Sequence, residues 1–361
     1  MKRVAIVTPS ITSGDAVGND VVGMYRVLQR QGFDARIFAE SWTLTFPRIS
    51  PPEAIRSFLK KPSDVLIYHY SRGWDPGLDL LRDLKSQTVV RYHNVTPPQF
   101  FTEYSADLAA MCFAGRQQLT PIANADCDRY LSASAYNMKE LLAEGASEAK
   151  SFVVPPFHHI DRLFSLQAER EVLDAYRDNK TNICMVGRVS PNKSHPALIE
   201  AFAAYHHDYN RDSRLLIIGK EETRLKTYSP LLREMANRLK IREAVVFAGG
   251  VSEAALKAYY QCAHVFMITS EHEGFCVPLV EAMALGVPIV GYASSAIGET
   301  VAEAGIIWEK RNPYLLAETI DRLVRKSLSA DLSARGRRRF EEHFTNEKIE
   351  EKFLTAMSGI L

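Results

Sequence analysis

Short apolar segments alternate with longer amphipathic segments along the whole chain, and this alternation constrains the fold more than any other feature. The apolar segments have the length of buried strands, and the amphipathic segments have helical spacing. Such alternation favours parallel sheets covered by helices, so we expect an α/β fold with doubly wound sheets. The predicted strands are RVAIVT, DARIFA, DVLIYHY, TVVRYH, RYLSAS and SFVVP in the first half, and TNICMVG, SRLLIIG, AVVFAGG, HVFMIT, VPIVGYA and GIIWE in the second.

A pair of prolines predicts the linker between two domains. Pro155-Pro156 follows the sixth predicted strand, and consecutive prolines disfavour the continuation of a helix or strand. The length of 361 residues also favours two domains. We therefore expect two Rossmann-like domains, residues 1–160 and 161–342, followed by a C-terminal helix in residues 343–361. Helical spacing predicts helices at residues 20–31, 98–115, 135–143, 196–209, 231–239, 253–261, 278–285 and 314–328.

Net charge and cysteine usage exclude several classes of function. The formal net charge is +1 and the chain has no basic stripe with interleaved aromatic residues, so we expect no nucleic-acid partner. The five cysteines are widely spaced and mostly lie in apolar segments, which is typical of reduced thiols. The chain contains no CxxC motif, so a structural zinc is not indicated. It also has no apolar segment that suits a signal peptide or a membrane span. We predict a cytoplasmic protein.

Residues 270–288, SEHEGFCVPLVEAMALGVP, place two carboxylates around the start of a short helix. Pro278 is tolerated in a first helical turn, and Gly286 predicts where the helix ends. Glu273 precedes the helix and Glu281 lies about one turn inside it. Both would be ordinary surface residues if the segment were solvated. However, the rest of the helix is apolar, so Glu281 is an isolated charge on a buried element and needs a partner.

We interpret this segment as part of a ligand site. Residues 264–269 before it form a predicted buried strand, and open α/β sheets bind ligands where loops leave the carboxyl ends of strands. Free backbone N–H groups near residues 275–277 would attract a phosphate or sugar oxygen. Glu273 and Glu281 can then border one small ligand.

A second loop in the same half carries two cations. Residues 187–193, GRVSPNK, follow a predicted strand and lead into a helix. Arg188 can hold phosphate oxygens in a two-pronged fork, whereas Lys193 is a mobile point charge, so together they suit a diphosphate. Arginine and lysine in a loop are usually solvated. Their position in the same half as Glu273 and Glu281 favours the binding interpretation.

The absence of two glycine motifs excludes two nucleotide-binding classes. No GxGxxG follows the first strand and no GxxxxGK[ST] occurs, so neither a dinucleotide oxidoreductase nor a P-loop nucleotidase is indicated. The first strand is instead followed by PSITSGDAVGND, in which Gly14 and Gly18 lie at the strand-to-helix junction. Close approach of this backbone to a ligand and an ordinary turn both explain these glycines.

Together these segments resemble the retaining glycosyltransferases of family 4, which have the GT-B fold. The resemblance extends from the glycine loop before Asp20, through YHNVTP at residues 92–97 and GRVSPNK, to EGFCVPLVEAMALGVP. Glu273 and Glu281 are similar to the E-x7-E motif of that family. The resemblance implies an acceptor-side first domain and a nucleotide-sugar-binding second domain that face each other across a cleft. It also implies that the helix in residues 343–361 packs back on the first domain.

The resemblance implies which residues would hold the donor diphosphate. Arg188 and Lys193, beside the turn at Gly187, would bind its oxygens, and Gly18 would approach it from the first domain. This chain has Gly18-Asn19 where many members have two glycines. The contact from the first domain therefore departs from the pattern of the family.

The resemblance also implies contacts to the sugars and the base. Glu281 would hold the ribose hydroxyls, Glu273 would orient the transferred sugar, and Val251 would flank the base. His93 would lie near the donor sugar and the acceptor, where we favour a positioning role over that of a general base. Backbone groups after Glu273 would complete the sugar contact, from Gly274, Phe275 and Cys276.

The implied activity is transfer of a hexose from a nucleotide-diphosphate sugar with retention of configuration. YHNVTP is similar to members that transfer mannose and related sugars in bacterial surface-polysaccharide assembly, so we favour GDP-mannose as donor and UDP-glucose next. The acceptor would be a glycan or a lipid-linked glycan, with peripheral contact at the inner face of the membrane. We expect no cofactor and no metal, and we interpret the tandem acids Asp126 and Asp128 as structural.

Two other functions remain open. A GT-B sugar-nucleotide epimerase would share the donor site, and so would a non-catalytic protein that binds nucleotide sugars. The binding protein would be expected to lose an acid or a phosphate-binding residue, whereas Arg188, Lys193, Glu273 and Glu281 are all present. Product analysis would separate transfer from epimerisation.

Overall fold

A computed structural model describes residues 1–12, 14–45, 47–325 and 328–361. These residues form two compact units. The first contains Met1–Gln99, Asp107–His158 and Phe344–Leu361, and the second contains Phe100–Ala106 and His159–His343. Each unit is built on a parallel sheet, so the predicted α/β architecture is confirmed.

The first unit has a seven-stranded sheet in the order β3-β2-β1-β4-β5-β6-β7. The apolar segments predicted as strands in this half are all strands, and the short β3 is additional. The strands are β1 (Arg3–Ile11), β2 (Asp34–Trp42), β3 (Ile49–Ser50), β4 (Val65–Tyr70), β5 (Gln87–Tyr92), β6 (Arg129–Ser132) and β7 (Ser151–Val153). The helices between them are α1 (Ala16–Arg30), α2 (Ile55–Phe58), α3 (Asp75–Asp83), α4 (Ala106–Gln117), α5 (Leu119–Ala123) and α6 (Ala135–Ala143).

Side chains of β1 alternate between two apolar cores, one on each face of this sheet. Val4 and Ile6 lie in one core, and Ala5 and Val7 lie in the other. Successive side chains of a strand point to opposite faces, so a strand covered on both faces needs an unbroken apolar run. This explains why VAIV could be recognised as a central strand.

The second unit has a six-stranded sheet in the order β10-β9-β8-β11-β12-β13. All of its strands were predicted. They are β8 (Thr181–Val186), β9 (Ser213–Ile218), β10 (Val245–Gly249), β11 (Val265–Ile268), β12 (Ile289–Tyr292) and β13 (Gly305–Trp308). The helices are α7 (Ile160–Ser165), α8 (Arg170–Tyr176), α9 (His195–Asp208), α10 (Tyr228–Arg238), α11 (Glu253–Cys262), α12 (Val277–Ala284), α13 (Ile297–Val301), α14 (Pro313–Arg325) and α15 (Leu328–His343).

The final helix, α16 (Asn346–Ala356), belongs to the first unit. Its residues Ile349 and Phe353 are fully buried in the same apolar core as Val21 and Met24 of α1. The Thr345 side chain caps the helix by accepting a hydrogen bond from the Lys348 backbone. The chain therefore ends in the domain in which it begins.

The linker predicted at Pro155-Pro156 is not the observed division. Both prolines are buried within the first unit, and the units divide between His158 and His159. A buried hydrogen bond holds the segment in place, since the Phe157 backbone N–H donates to Asp20 over 2.8 Å. Consecutive prolines end a strand here but do not separate the domains.

The single helix predicted at residues 98–115 is also wrong. A short 3-10 turn at Pro98–Phe100 precedes α4, and Phe100–Ala106 belong to the second unit although the flanking chain belongs to the first. Phe100 packs against His272, and Tyr104 packs edge-on against Tyr228.

Within the described residues, no helix combines the length and the apolar character needed to cross a bilayer.

Candidate active site

The strand order of the second unit reverses between β8 and β11, which are neighbours but not consecutive. Ligands of open α/β sheets bind beyond the carboxyl ends of the strands at such a point. Two loops leave the sheet there: the phosphate loop, residues 187–193 after β8, and the carboxylate loop, residues 269–276 after β11. The residues predicted from GRVSPNK and from the segment around Glu273 therefore start from adjacent strands.

Hydrogen bonds join the phosphate loop to the carboxylate loop. The backbone N–H of Glu271 donates to the carbonyl oxygen of Asn192 over 2.8 Å. The hydroxyl of Thr269 donates to the carbonyl oxygen of Ser194 over 3.0 Å, and the Ser194 hydroxyl donates to Glu271 Oε1 over 2.7 Å. The two loops are thus fixed to each other as one surface.

Lys193 and Glu273 form an ion pair across this surface. The lysine Nζ lies 2.6 Å from Glu273 Oε1 and 2.7 Å from Oε2. Only 14% of the lysine side chain and 7% of the glutamate side chain are exposed. The backbone N–H of Glu273 donates to the Ser295 hydroxyl over 2.7 Å, which fixes the carboxylate loop from its other side. A cation predicted for diphosphate and a carboxylate predicted for sugar therefore meet in one place.

Arg188 is placed differently from Lys193. Its side chain is 68% exposed, and its Nη1 lies 3.8 Å from Glu222 Oε2. Glu222 also accepts a hydrogen bond from Arg224 over 2.9 Å, and this bond holds the pKa of Glu222 below its usual value. Arg188 is thus an exposed cation beside the loop, whereas Lys193 is buried and paired within it.

The backbone of the phosphate loop passes very close to the loop after β9. A Cβ atom on Gly219 would lie 1.8 Å from the carbonyl oxygen of Gly187. Both glycines have φ of +154°, which residues with a side chain rarely adopt. Gly187 also lies beside the Lys193 side chain, since a Cβ on Gly187 would be 3.7 Å from the lysine Cε. The glycine turn therefore gives the lysine a tightly packed, side-chain-free neighbour.

Glu281 is buried in α12, as its apolar surroundings had indicated, and only 4% of the residue is exposed. The hydroxyl of Tyr260 on α11 donates to its Oε2 over 2.7 Å, and His159 Nε2 lies 3.5 Å from its Oε1. Burial raises the pKa of Glu281, and the charge of His159 and the hydrogen bond from Tyr260 oppose this rise. The carboxylate is held from one side and keeps acceptor capacity for a ligand.

A strained turn joins the carboxylate loop to α12. Cys276 has φ of +75° and precedes the first helical residue, Val277. The carbonyl oxygen of Phe275 accepts a hydrogen bond from Thr300 over 3.1 Å. Burial raises the pKa of the Cys276 thiol well above its usual value, so the thiol is neutral beside Glu273. Gly274 lies between Glu273 and this turn, and the predicted backbone contacts stay a prediction.

Val251 lies on the loop between β10 and α11, at the carboxyl edge of the sheet. Its neighbour Ser252 caps α11 by accepting a hydrogen bond from the Ala255 backbone over 3.0 Å. The same helix carries Tyr260, which holds Glu281. The loop predicted to flank the base therefore leads into the helix that positions the carboxylate predicted for ribose.

The first unit has its own reversal of strand order, between β1 and β4. Gly18 lies in the first turn of α1, where a Cβ would be 3.0 Å from the carbonyl oxygen of Thr12. His93 directly follows β5, and 8% of its side chain is exposed. Both residues predicted in the first domain thus lie at the carboxyl edge of its sheet.

His93 belongs to a buried polar group that the sequence did not reveal, which we call the histidine cluster: Asp20, His69, Arg91 and His93. His93 Nε2 lies 2.9 Å from His69 Nδ1 and 3.5 Å from Asp20 Oδ2. Arg91 Nε donates to the same Asp20 oxygen over 2.7 Å. Burial and the charge of Arg91 lower the pKa of both histidines well below the usual value. Both rings are therefore neutral near pH 7.

The tandem acids Asp126 and Asp128 have partners within the first unit. Asp126 accepts a hydrogen bond from Lys150 over 2.7 Å, and Asp128 accepts one from the Thr88 backbone over 2.8 Å. These contacts account for both carboxylates.

Three residues at these sites were not predicted from the sequence: Tyr260, His159 and Arg91. Tyr260 and His159 reach Glu281 only through the packing of α11 and α7 against α12, and no local pattern marks them. Arg91 did leave a signal, because a charge inside the predicted strand TVVRYH must have a buried partner. That partner, Asp20, is 71 residues away in sequence.

The second unit matches a known family. Residues 168–339 match the family model described as "Glycosyl transferases group 1", and this range contains the phosphate loop, the carboxylate loop and Glu281. The D-inositol 3-phosphate glycosyltransferase of Acidothermus cellulolyticus is 28% identical over 155 residues, which cover 42% of this chain and 35% of that protein. The chain spans 35% to 55% of the length of four curated relatives that it resembles.

Two further similarities extend over both units. The GDP-mannose-dependent alpha-mannosyltransferase of Mycobacterium tuberculosis is 26% identical over 381 aligned positions, which cover 93% of this chain and 92% of that protein. The Anabaena protein HepE, solved in complex with UDP and glucose, superposes with a TM-score of 0.79 at 14% identity. That match covers 99% of this chain and 100% of the other, and it confirms the GT-B fold.

Proposed function

Because residues 168–339 match the family model described as "Glycosyl transferases group 1", we propose that this protein transfers a hexose from a nucleotide-diphosphate sugar to an acceptor hydroxyl with retention of configuration. The contact between Lys193 and Glu273 carries this proposal. It places a cation suited to bind phosphate beside a carboxylate suited to bind sugar hydroxyls, within one hydrogen-bonded surface. A ligand that contains both a diphosphate and a sugar is complementary to such a pair.

Charge develops during the reaction in a way that these residues can stabilise. Breaking the sugar–phosphate bond leaves negative charge on the diphosphate, and fixed cations lower the energy of that state. Lys193 supplies a fixed charge, and Arg188 supplies a mobile one that can close over the ligand. Transfer without a metal is part of the proposal, and unchanged turnover in the presence of a chelator is the expected result.

Donor binding rearranges the ion pair. The diphosphate competes with Glu273 for Lys193, and a released carboxylate can accept hydrogen bonds from sugar hydroxyls. Glu281, already held by Tyr260, accepts from the ribose hydroxyls. The two carboxylates thus share the donor, with Glu273 on the transferred sugar and Glu281 on the nucleoside.

Two nucleotide sugars are the proposed donors. GDP-mannose is favoured by YHNVTP and by the similarity to a GDP-mannose-dependent alpha-mannosyltransferase over nearly the full chain. UDP-glucose is next, because the structurally similar Anabaena protein was solved with UDP and glucose. We propose a glycan or lipid-linked acceptor of surface-polysaccharide synthesis, reached by peripheral contact with the membrane from the cytoplasm.

A labelled-donor assay tests the proposal against its alternatives. Purified protein is incubated with GDP-mannose or UDP-glucose labelled in the sugar, with and without mannose- or glucose-terminated acceptors. We expect label in a product with retained anomeric configuration, together with release of nucleoside diphosphate. Conversion of the donor into an isomeric nucleotide sugar would identify an epimerase instead. Binding without any chemical change, across a broad acceptor panel, would identify a non-catalytic binding protein.

Matched variants connect the assay to the site. Lys193→Ala removes the fixed cation, and the exposed Lys226→Ala serves as its control. We expect transfer to be lost in the first variant and retained in the second, with both proteins folded by circular dichroism. Equal activity of the two variants would rule out the assigned site.

A further inference from the structure

His69 and His93 form a stacked pair at the ends of adjacent strands. Their ring centroids are 5.1 Å apart, and β4 and β5 are parallel neighbours in register. The contact between His69 Nδ1 and His93 Nε2 is 2.9 Å, a hydrogen-bond distance. Since both rings are neutral near pH 7, one of these nitrogens carries the hydrogen and donates the hydrogen bond, and the other accepts the bond.

The same atoms could be taken for a metal site. His69 Nδ1, His93 Nε2 and an Asp20 oxygen all lie within 4.8 Å of one another. Two nitrogen ligands of a tetrahedral zinc would be roughly 3.3 Å apart, which is longer than the contact observed here. The Arg91 guanidinium also donates to the Asp20 oxygen that a metal would need. The histidine cluster is therefore a hydrogen-bond network.

The buried side of His69 decides which ring donates. Its Nε2 is fully buried and has no hydrogen-bond partner in the described part of the chain. If His93 were the donor, His69 would carry its proton on this orphaned Nε2. Buried N–H groups without an acceptor are rarer than buried acceptors without a donor. His69 therefore donates from Nδ1, and its Nε2 is unprotonated.

This direction of donation determines the state of His93. Its Nε2 accepts from His69, so its own proton lies on Nδ1. No described residue forms a hydrogen bond with this Nδ1, and 8% of the His93 side chain is exposed, so its N–H is free to bond to a ligand. His93 thus presents a hydrogen-bond donor, and a neutral ring in this state cannot take up a proton there.

We propose that His69 is a positioning residue that holds His93 in the Nδ1–H form, so that His93 donates a hydrogen bond to a hydroxyl or phosphate oxygen of the bound substrate. The identity of that substrate rests on the proposed function. Asp20 and Arg91 form a fully buried ion pair beside the two histidines, and this ion pair holds both charges in place. His93 thereby acts by orientation and hydrogen bonding, not as a general base.

Nitrogen NMR of protein labelled with ¹⁵N-histidine tests the proposal without any activity measurement. Protonated and unprotonated ring nitrogens have well-separated shifts, and a His93→Gln variant identifies the His93 signals. We expect protonated Nδ1 and unprotonated Nε2 in the wild type near pH 7.5. In His69→Asn the amide can replace the Nδ1 donor, so we expect the same form. In His69→Leu we expect a mixture of both forms.

A His93 proton on Nε2 in the wild-type protein would overturn the proposal, whatever the variants show. In the transfer assay we expect kcat of His69→Leu to fall about tenfold with KM nearly unchanged, and His69→Asn to restore it. If His69→Leu fails to fold, the wild type and His69→Asn still decide the tautomer. The predicted tautomer without sugar transfer would support the role of His69 while contradicting the proposed function.

Discussion

Both units place polar side chains at the point where the strand order of the sheet reverses. The side chains of the second unit are charged there, whereas the histidines of the first unit are neutral. In the second unit, Lys193 and Glu273 are full charges paired across two loops, and Arg188 remains largely exposed. In the first unit, His69 and His93 are neutral, and the charges of Asp20 and Arg91 are entirely buried behind them.

This difference indicates a division of work. The reversal point of the second unit offers charges that a diphosphate can engage, whereas that of the first offers directed hydrogen bonds from neutral rings. The buried charges of the first unit act on each other and on the chain after β7, since Arg91 also donates to the Val154 carbonyl over 2.6 Å. Their role is to hold structure, so the variants below should separate stability from activity.

Removing Asp20 should have the largest effect, and it should fall on stability. Asp20→Ala leaves the Arg91 charge buried without its partner, which typically costs about 3–5 kcal/mol. We expect a large drop in the midpoint of urea unfolding. The exposed Asp79→Ala is the matched control and should change stability by no more than about 0.5 kcal/mol. Similar midpoints for the two variants would show that the pair is not structural.

Removing Lys193 should act on catalysis instead. We expect Lys193→Ala to lower kcat/KM by about 10²–10³-fold, the range seen when one preorganised charge-stabilising group is lost. Arg188→Ala should cost about tenfold or less, because its charge is exposed and mobile. Steady-state kinetics with Lys226→Ala as control checks this order. A larger loss for Arg188→Ala would reverse the assignment of fixed and mobile cations.

Replacing Glu281 should weaken nucleotide binding by about 1–3 kcal/mol, or roughly 5–150-fold in affinity. Glu281→Gln keeps an acceptor for Tyr260 but loses the charge that favours ribose hydroxyls. Tyr260→Phe should have a smaller effect, because it removes only the hydrogen bond that orients the carboxylate. Calorimetric titration with nucleoside diphosphate checks both variants. Unchanged affinity in Glu281→Gln would mean that the ribose binds elsewhere.

Acid should destabilise the first unit through the histidine cluster. The folded pKa of each histidine lies well below the unfolded value of about 6.5, so the unfolded chain binds protons first and stability falls as the pH drops below 6.5. Each histidine contributes at most about 1.4 kcal/mol per pH unit. Burial raises the pKa of Asp20, which acts in the opposite sense.

The matching experiment compares unfolding free energies at pH 8.0 and 5.5 for wild type and for the double variant His69→Asn/His93→Gln. Burial lowers the pKa of His195 in the second unit to about 3, and this residue adds the same slope to both proteins. The difference between the two profiles therefore reports the histidine cluster. Parallel profiles would contradict the neutral, buried state of these rings.

Local patterns were sufficient to predict every strand except the short β3, and both site loops. Unbroken apolar runs marked the central strands, and the glycine turn before Lys193 marked the phosphate loop. The sequence assigned Lys193 to the diphosphate and Glu273 to the sugar, and it did not predict the ion pair that these residues form across the loops after the adjacent strands β8 and β11. The position of Arg91 inside an apolar strand indicates that it needs a buried partner, but the sequence does not identify that partner.

Features that depend on long-range packing could not be predicted. Tyr260 looks like an ordinary apolar helix residue, and its contact with Glu281 exists only because α11 lies against α12. The Phe100–Ala106 segment leaves the first unit through contacts of Phe100 and Tyr104 that have no sequence signature. The proline pair misplaced the linker, because a hydrogen bond from Phe157 to Asp20 holds that segment inside the first unit.

Calorimetric titration of the wild-type protein with GDP-mannose, UDP-glucose and an ADP-sugar tests most directly whether the second unit binds a nucleotide-diphosphate sugar. We predict saturable binding of at least one donor to one site per chain, strongly weakened in Lys193→Ala and Glu281→Gln and unchanged in Lys226→Ala. Absence of binding by all three donors, or binding that survives both site substitutions, would contradict the assignment.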